Sequence, residues 1–316
     1  MVWFFDLIFF ALSCLILVTA GTILVRTLPF LARIFRLSEF VISFIIMAFS
    51  TSLPELFVGI TSALEGNPAL ALGTVIGSNI ANLSLVAGIT IILARGFKSS
   101  SESRKGSWFM LVFAILPMVL MFLGKGLSRI DGVILLVVFV FYMFVLLSKK
   151  TKTEEKEKVG FFKFTLNIIL FTISLFLLFY SAKYAVKYAS QLAFEFMLPP
   201  ILIGLFFIAL GTSLPELVFG SIAARKRKPD LALGTLIGSV IANSTLILGI
   251  TAIIHPITAN FLLYITSAVF MIALVFLFIV FLDTDRKLSW KEGMVLILFY
   301  VLFLIIELNI PNFINI

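Results

Sequence analysis

Long apolar segments separated by short polar connections make up almost the whole chain. Each segment comes close to the roughly 20 residues that an α-helix needs to cross the hydrocarbon core of a bilayer, or exceeds it. The pattern therefore predicts an all-α polytopic membrane protein with about ten transmembrane helices. We place these spans at residues 3–31, 39–64, 69–94, 108–124, 129–147, 161–189, 198–224, 230–254, 260–282 and 291–309.

Composition supports this class, because 61% of the residues are hydrophobic and only 13% are charged. The first residues lack the basic region of a signal peptide, so we expect the first segment to remain as a span. The single cysteine, Cys14, cannot form an intrachain disulfide or a multi-cysteine metal site, and we expect it to pack in its helix.

The net charge of +8 would fit a nucleic-acid partner, but most of the 24 basic residues lie in the odd-numbered connections. By the positive-inside rule, this asymmetry places those connections in the cytoplasm and both termini outside. We therefore expect a multi-pass protein of the cell membrane, with a lipid partner and no nucleic acid. Four acidic residues near outer helix ends are expected to be solvated: Asp6, Asp131, Glu195 and Glu307.

The chain divides into two similar halves, residues 1–148 and 161–316, joined by a charged cytoplasmic linker at 149–160. An offset of 161 aligns Thr51–Asn82 with Thr212–Asn243, and most aligned positions are identical. The surrounding motif segments span residues 44–88 and 205–249. Because each half contains five spans, equivalent helices cross in opposite directions. This inverted repeat is typical of secondary transporters that bind their substrate near the bilayer midplane.

The first motif of each half reads Thr-Ser-Leu-Pro-Glu, at residues 51–55 and 212–216. An ionisable side chain at membrane depth costs about 2.5–3.5 kcal/mol. A proline there also leaves the carbonyl four residues earlier, that of Ser50 or Gly211, without its usual donor, and distortion of the helix is expected to loosen the neighbouring carbonyls as well. Such carbonyls are tolerated when they are buried or line a cavity, and a cation would satisfy them. We therefore expect two carboxylates and loosened carbonyls to converge at the centre: Glu55, Glu216, Thr51 and Thr212.

Neutral oxygen donors accompany these carboxylates. Helical spacing puts Ala48 and Ser52 on the same face as Glu55, and the second copy supplies Ala209 and Ser213 beside its own glutamate. The next helix of each half adds a polar stripe at intervals of four residues: Thr74, Ser78 and Asn82, mirrored by Thr235, Ser239 and Asn243. Gly-x-x-x-Gly at 73–77 and 234–238 allows close helix approach. Interhelical hydrogen bonding remains the competing interpretation for the serines and asparagines.

Carboxylate, hydroxyl, amide and carbonyl oxygens without Cys or His suit hard cations such as Ca²⁺ or Na⁺. Mg²⁺ prefers a small, nearly octahedral and partly hydrated site, so the pattern favours Ca²⁺ over Mg²⁺. Two negative charges balance one Ca²⁺ or two Na⁺, and mutually exclusive occupancy by these ions is the basis of exchange. We expect no cofactor and no enzymatic activity.

The paired Thr-Ser-Leu-Pro-Glu and Gly-Ser-x-Ile-Ala-Asn segments resemble the two α-repeats of the sodium/calcium exchanger family, prokaryotic type, within the cation/calcium exchanger superfamily. The resemblance implies that the long first and sixth helices slide across the core. We also expect the protein to function as a monomer. It implies a central Ca²⁺ held by the carboxylates of Glu55 and Glu216 and the carbonyls of Thr51 and Thr212. It also implies two flanking Na⁺ sites, one formed by Ala48, Ser52 and Ser78 and the other by Ala209, Ser213 and Ser239. The resemblance places Asn82 and Asn243 at the middle of the cluster.

Three positions depart from the family pattern or from the internal symmetry. Asn243 stands where many prokaryotic and potassium-dependent relatives carry aspartate. In this it resembles the potassium-independent animal exchangers, so we expect exchange that is independent of K⁺. Ser50 replaces the glycine found at Gly211 in the second copy, and Asn79 matches Val240.

The function that these features favour is antiport of Ca²⁺ against Na⁺ by alternating access. H⁺/Ca²⁺ and Na⁺/Mg²⁺ exchange remain alternatives, although the Gly-Asn-x-x-Glu motif of proton-coupled calcium exchangers is not matched. A cation channel is a more remote alternative. An intramembrane hydrolase is disfavoured, because no nucleophile with a base is evident and the lone His255 is expected in a loop.

Overall fold

The structure, a computed structural model, describes residues 2–34, 48–147, 161–197, 200–258, 261–284 and 287–314. The predicted linker at 149–160 and the first part of the second predicted span, residues 39–47, lie outside the described residues. Within them, eight helices are long and apolar enough to cross a membrane, and the apolar helix Leu53–Leu64 is shorter. The prediction of an all-α polytopic membrane protein is confirmed.

In its described residues, the first half contains helices, short turns and one two-residue strand. Its elements are α1 (Val2–Ile34), α2 (Ala48–Thr51), α3 (Leu53–Leu64), α4 (Pro68–Ala81), the π-helical segment π1 (Asn82–Val86), α5 (Ala87–Leu93), β1 (Phe97–Lys98), α6 (Ser101–Gly124) and α7 (Arg129–Leu147).

The second half repeats the order of the long helices, but its strand comes one connection later, and π2 has no counterpart among the described residues of the first half. Its elements are α8 (Phe161–Glu195), α9 (Pro200–Ile203), π2 (Gly204–Ile208), α10 (Ala209–Thr212), α11 (Leu214–Arg225), α12 (Pro229–Ala242), π3 (Asn243–Ile247), α13 (Leu248–Ile254), α14 (Phe261–Asp283), β2 (Lys287–Leu288) and α15 (Trp290–Ile314).

Most predicted boundaries differ from the observed ones by a few residues, and α6 and α8 differ more. Helix α6 begins at Ser101 and not at 108, because the Ser100 hydroxyl caps it by accepting from the Ser103 N–H at 3.1 Å. This first part of α6 is polar, so hydropathy alone does not reveal it, whereas a serine N-cap stabilises a helix start. Helix α8 continues to Glu195, beyond the predicted end at 189.

The inverted repeat is visible in the packing of its glycines. A Cβ on Gly88 would lie 2.6 Å from the Gly293 carbonyl oxygen, and one on Gly249 would lie 3.0 Å from that of Gly132. The offset of 161 converts the first pair into the second. The strand pairing is mirrored with a shift of one residue, since Phe97 pairs with Leu288 and Leu127 pairs with Ile257, where the offset of 161 would place Thr258.

The motif-bearing spans form the centre of the fold. In the most apolar stretch of each span, 83% of the residues are buried in Pro68–Leu93 and 78% in Pro229–Ile254. The corresponding shares are only 33% in α1 and 17% in α8. Helices α1 and α8 pack along each other at the periphery, where the rings of Phe9 and Tyr188 stack at 5.2 Å. The fold therefore buries the polar motif helices and leaves the two longest helices on the outside.

The prediction that four acidic residues near helix ends are solvated is wrong for two of them. Asp6 is only 8% exposed, because α8 packs against α1 at its level. Glu307 is 1% exposed and accepts a hydrogen bond from the Ser267 hydroxyl of α14 at 2.7 Å. Hydropathy gives the depth of a residue in a span but not the direction that it faces, so neither burial was predictable.

Candidate ion-binding site

Each Thr-Ser-Leu-Pro-Glu motif breaks its helix at the serine. Helix α2 ends at Thr51 and α3 begins at Leu53, and the second copy has the same break around Ser213. The prolines fall in the first turn of α3 and α11, where the missing N–H costs little because N–H groups in a first turn have no acceptor within their own helix. The expected distortion is therefore a short interruption between two helical segments, with each glutamate one turn after it.

The two glutamates point into the protein and not at lipid. Glu55 and Glu216 are each 1% exposed. The Ser78 hydroxyl donates to Glu55 Oε1 at 2.7 Å, and the Ser239 hydroxyl donates to Glu216 Oε1 at 3.3 Å. The offset of 161 relates these two bonds, so both halves contribute the same acidic unit to one buried centre.

Hydroxyl groups connect the halves across this centre. Ser78 Oγ lies 2.9 Å from Ser213 Oγ, and Thr51 Oγ1 lies 3.1 Å from Ser239 Oγ. Because each pair joins one half to the other, the polar groups form a shared centre and not two separate ones.

The alanine carbonyls at the helix breaks already have protein donors. The Ala48 carbonyl accepts from the Thr51 hydroxyl at 3.2 Å and from the Ser52 N–H at 3.0 Å. The Ala209 carbonyl accepts from Thr212 and Ser213 at the same distances. An ion that uses these carbonyls therefore shares them with the backbone and a threonine. The polar-stripe threonines outside the centre, Thr74 and Thr235, donate to their own helices.

Several buried oxygen atoms of the predicted ligand residues have no hydrogen-bond partner. They are Ser52 Oγ, Glu55 Oε2, Glu216 Oε2, Asn82 Oδ1 and Asn243 Oδ1, all on residues no more than 3% exposed. Native proteins rarely leave buried polar atoms unpaired, and an ion is one established explanation. These five atoms are hard oxygen donors from both halves, which is the donor set of a Ca²⁺ or Na⁺ site.

The two asparagines lie where the helices change winding. Asn82 begins π1 and Asn243 begins π3, so each polar stripe ends at a π-helical segment. Such segments are rare and occur frequently at functional sites. Sequence reasoning placed both asparagines at the centre but gave no indication of the π-helical winding.

Asn79 bonds to Asn243, although in the sequence it stands out only as a break in the symmetry of the repeats. Its carboxamide oxygen accepts from Asn243 Nδ2 at 3.0 Å, and its own Nδ2 donates to Ser244 Oγ at 3.0 Å. Asn79 follows Ser78 directly and lies off the stripe of four-residue intervals. The signal that could have found it was the Asn79–Val240 mismatch between the repeats.

Glycines bring the helices together as predicted for the first half. A Cβ on Gly73 would lie 2.0 Å from the Ile201 carbonyl oxygen, and one on Gly77 would lie 2.1 Å from that of Leu205. Gly238 and Ala48 line a cavity of about 20 Å³ beside the centre. Without side chains at 73 and 77, α4 can lie against the backbone of α9 and π2, which keeps Ser78 next to the second helix break.

No group of three or more His, Cys, Asp or Glu side chains that could hold a metal occurs in the described part of the chain. The centre consists instead of two carboxylates surrounded by neutral oxygens. Such a site can bind hard cations whose charge the two carboxylates balance, and it offers no soft ligand for zinc or copper.

Known proteins resemble this chain over most of its length. The family profile described as "Sodium/calcium exchanger protein" matches residues 5–148 and 166–309. The sodium/calcium exchanger MaX1 of Methanosarcina acetivorans is 29% identical over 340 residues, covering 93% of this chain and 96% of its own length. The putative antiporter CaxA of Alkalimonas amylolytica is 33% identical over 238 residues, covering 72% and 73%.

Solved structures share the fold. The sodium–calcium exchanger NCX_Mj, soaked with Na⁺ and Sr²⁺, superimposes with a TM-score of 0.70 at 26% identity, over 95% of this chain and 98% of that one. The H⁺/Ca²⁺ exchanger CAX gives a TM-score of 0.79 at 20% identity, over 95% and 82%, a likeness that shows the fold alone. Because the family profile matches both halves, the chain belongs to the sodium/calcium exchanger family, whose members are membrane exchangers and not enzymes.

Proposed function

We propose that this protein is a secondary active antiporter that exchanges Ca²⁺ for Na⁺ across the cell membrane without K⁺. The observation that carries the proposal is the pair of buried carboxylates, Glu55 and Glu216, one from each half, each with one unpartnered oxygen. Isolated charges in a membrane interior are costly, and this cost is offset when they bind an ion. Together the two carboxylates balance one Ca²⁺ or two Na⁺.

The two ions compete for the same oxygens. A central Ca²⁺ would take carboxylate oxygens from both glutamates and backbone carbonyls from Thr51 and Thr212. Na⁺ ions would occupy flanking positions that share these carboxylates, with the remaining predicted ligands around them: Ala48, Ser52 and Ser78; Ala209, Ser213 and Ser239; Asn82 and Asn243. Because both sets use the same negative charges, bound Ca²⁺ excludes the full set of Na⁺ ions, and this exclusion couples the two fluxes.

Alternating access would come from movement of α1 and α8 across the buried core. These helices pack on each other and bury less of their surface than the motif helices. A Cβ on Gly21 of α1 would lie 3.1 Å from Pro54 Cγ and 3.2 Å from Pro215 Cγ, so α1 passes close to both helix breaks. A shift of this pair would expose the centre first to one side of the membrane and then to the other.

Independence from K⁺ follows from the neutral side chain at position 243. Asn243 uses its N–H group on Asn79, which leaves one neutral oxygen facing the ions. Relatives with aspartate at this position can bring a third negative charge to the centre, which an additional monovalent cation would balance. With only two carboxylates, Ca²⁺ alone is electrically sufficient.

The deciding experiment is Ca²⁺ uptake by the purified protein in proteoliposomes, measured with calcium-45. Uptake driven by an outward Na⁺ gradient, and not by a pH gradient, is the expected result. Uptake driven by the pH gradient alone would establish H⁺/Ca²⁺ exchange, and passive flux without any counter-ion would establish a channel. Competition by Mg²⁺ tests the Na⁺/Mg²⁺ alternative, and we expect none at concentrations similar to those of Ca²⁺.

Orientation and assembly complete the proposal. We place both termini outside and the basic connections in the cytoplasm, and we expect the monomer to transport. Thiol labelling of single cysteines in a Cys14→Ser background tests the orientation, and reconstitution at less than one protein per vesicle tests the monomer.

A further inference from the structure

We propose that Asn79 is a positioning residue that fixes the Asn243 carboxamide with its oxygen towards the ions. This inference rests on the proposed ion site. All the polar groups involved are fully or almost fully buried: Asn79 and Asn243 are 0% exposed, and Ser244 is 1% exposed. Their hydrogen bonds are therefore formed within the protein, and each one restricts the next.

The orientation of Asn79 is set by a sulfur atom on α14. Its Nδ2 group lies 3.5 Å from Met271 Sδ as well as 3.0 Å from Ser244 Oγ. A thioether sulfur only accepts hydrogen bonds, so the N–H₂ end of Asn79 has to face Met271. The carboxamide oxygen of Asn79 then faces Asn243 and can only accept from it.

This acceptor in turn determines the orientation of Asn243. Its Nδ2 donates to Asn79 Oδ1 at 3.0 Å, whereas Asn243 Oδ1 has no partner in the described protein. The N–H₂ end of Asn243 is thus engaged by Asn79, and the oxygen remains as the free end. Only the oxygen can coordinate a cation. The hydrogen bonds from Met271 through Asn79 to Asn243 therefore keep this oxygen available, and the side chain does not have to turn when an ion binds.

The pseudo-symmetric position supports the assignment. The offset of 161 matches Asn79 with Val240, which has neither donor nor acceptor. Asn82 is the counterpart of Asn243, and both its Nδ2 and its Oδ1 lack a partner. One half therefore holds its central asparagine in a fixed orientation, while the other half leaves the equivalent carboxamide without an anchor. The two sides of the site should bind ions unequally.

The test is a double-mutant cycle on ion affinity. Asn79→Val gives the first half the residue of the second, and we expect it to raise the half-saturating concentration of Na⁺ or Ca²⁺ about fivefold, as for one lost hydrogen bond. The maximal rate should stay within twofold of wild type. Asn243→Ala should weaken the same ion at least as much, and the double variant should be no worse than Asn243→Ala alone.

Two further variants separate positioning from packing. Met271→Leu keeps the volume but removes the acceptor, and it should weaken binding of the same ion about two- to threefold. Val240→Ala is the matched packing control; it should lower thermal stability without ions and leave both affinities within twofold of wild type.

The inference is overturned if Asn79→Val leaves both affinities unchanged, or if its effect multiplies with that of Asn243→Ala. Thermal shifts induced by Na⁺ and by Ca²⁺ report binding without transport. If the wild-type protein binds these ions but does not exchange them, the proposed function fails, while the Asn79→Val shift still decides this inference.

Discussion

Replacing Glu55 by glutamine removes one of the two central charges with almost no change of shape. The glutamine keeps a carbonyl oxygen in the position of Oε1, which accepts from the Ser78 hydroxyl at 2.7 Å in the wild type. Two unit charges 4 Å apart interact by about 4 kcal/mol at an effective dielectric constant of about 20. Ca²⁺, with twice the charge, therefore loses about 8 kcal/mol of attraction, and Na⁺ loses about 4 kcal/mol.

The difference of about 4 kcal/mol corresponds to about a thousandfold change in the affinity for Ca²⁺ relative to Na⁺. Ca²⁺ binding should be lost in Glu55→Gln at concentrations that saturate the wild type, and the affinity for Na⁺ should fall about a thousandfold less than that for Ca²⁺. Isothermal titration or ion-induced thermal shifts of the purified variant measure both, and calcium-45 uptake measures transport.

Glu307→Gln is a matched control. Glu307 is as buried as Glu55 and also accepts from a serine hydroxyl at 2.7 Å, but it lies between α14 and α15, away from the centre. We expect this variant to keep the wild-type preference for Ca²⁺. Equal losses of Ca²⁺ and Na⁺ affinity in Glu55→Gln, or the same selectivity change in Glu307→Gln, would refute the electrostatic reasoning.

Three other predictions concern packing, movement and ion dependence. Gly77→Ala should lower the free energy of unfolding by about 1–3 kcal/mol, because its Cβ would lie 2.1 Å from the Leu205 carbonyl oxygen. The control Gly106→Ala should keep the wild-type stability, because the nearest atom to its Cβ would be 3.6 Å away. An equal loss of melting temperature in both variants would contradict this prediction. Cysteines at Phe9 and Tyr188, joined by a short bifunctional thiol reagent in a Cys14→Ser background, should leave transport intact, since α1 and α8 are proposed to move together; blocked transport would contradict a joint movement. Replacing K⁺ by choline on both sides should leave Na⁺-driven Ca²⁺ uptake unchanged, and a requirement for K⁺ would contradict the assignment of Asn243.

Much of the architecture was predictable because the membrane restricts the choices. Long apolar runs have to be helices, and a glutamate that recurs in two copies of one motif has to be buried for a reason. The repeat then fixes the relation of the halves, which is why the approach of Glu55 and Glu216 could be anticipated. The same logic placed Ser78 and Ser239 beside them.

Features that depend on which way a side chain turns were not predictable. Asn79 lies one residue from the predicted stripe, and its role depends on Met271, which is 192 positions away in sequence. The π-helical winding at Asn82 and the burial of Glu307 also arise from packing between distant helices. Hydropathy records the depth of these residues but not their neighbours.

The most direct test of the central claim is the position of a bound cation. Crystals soaked with Sr²⁺, a heavier analogue of Ca²⁺, give anomalous density that locates the ion. We predict a peak between Glu55 and Glu216, at about the 2.3–2.6 Å that Ca²⁺ sites show, from oxygens of both carboxylates. A peak that contacts only one of them, or that lies outside this centre in a protein active in transport, would contradict the account.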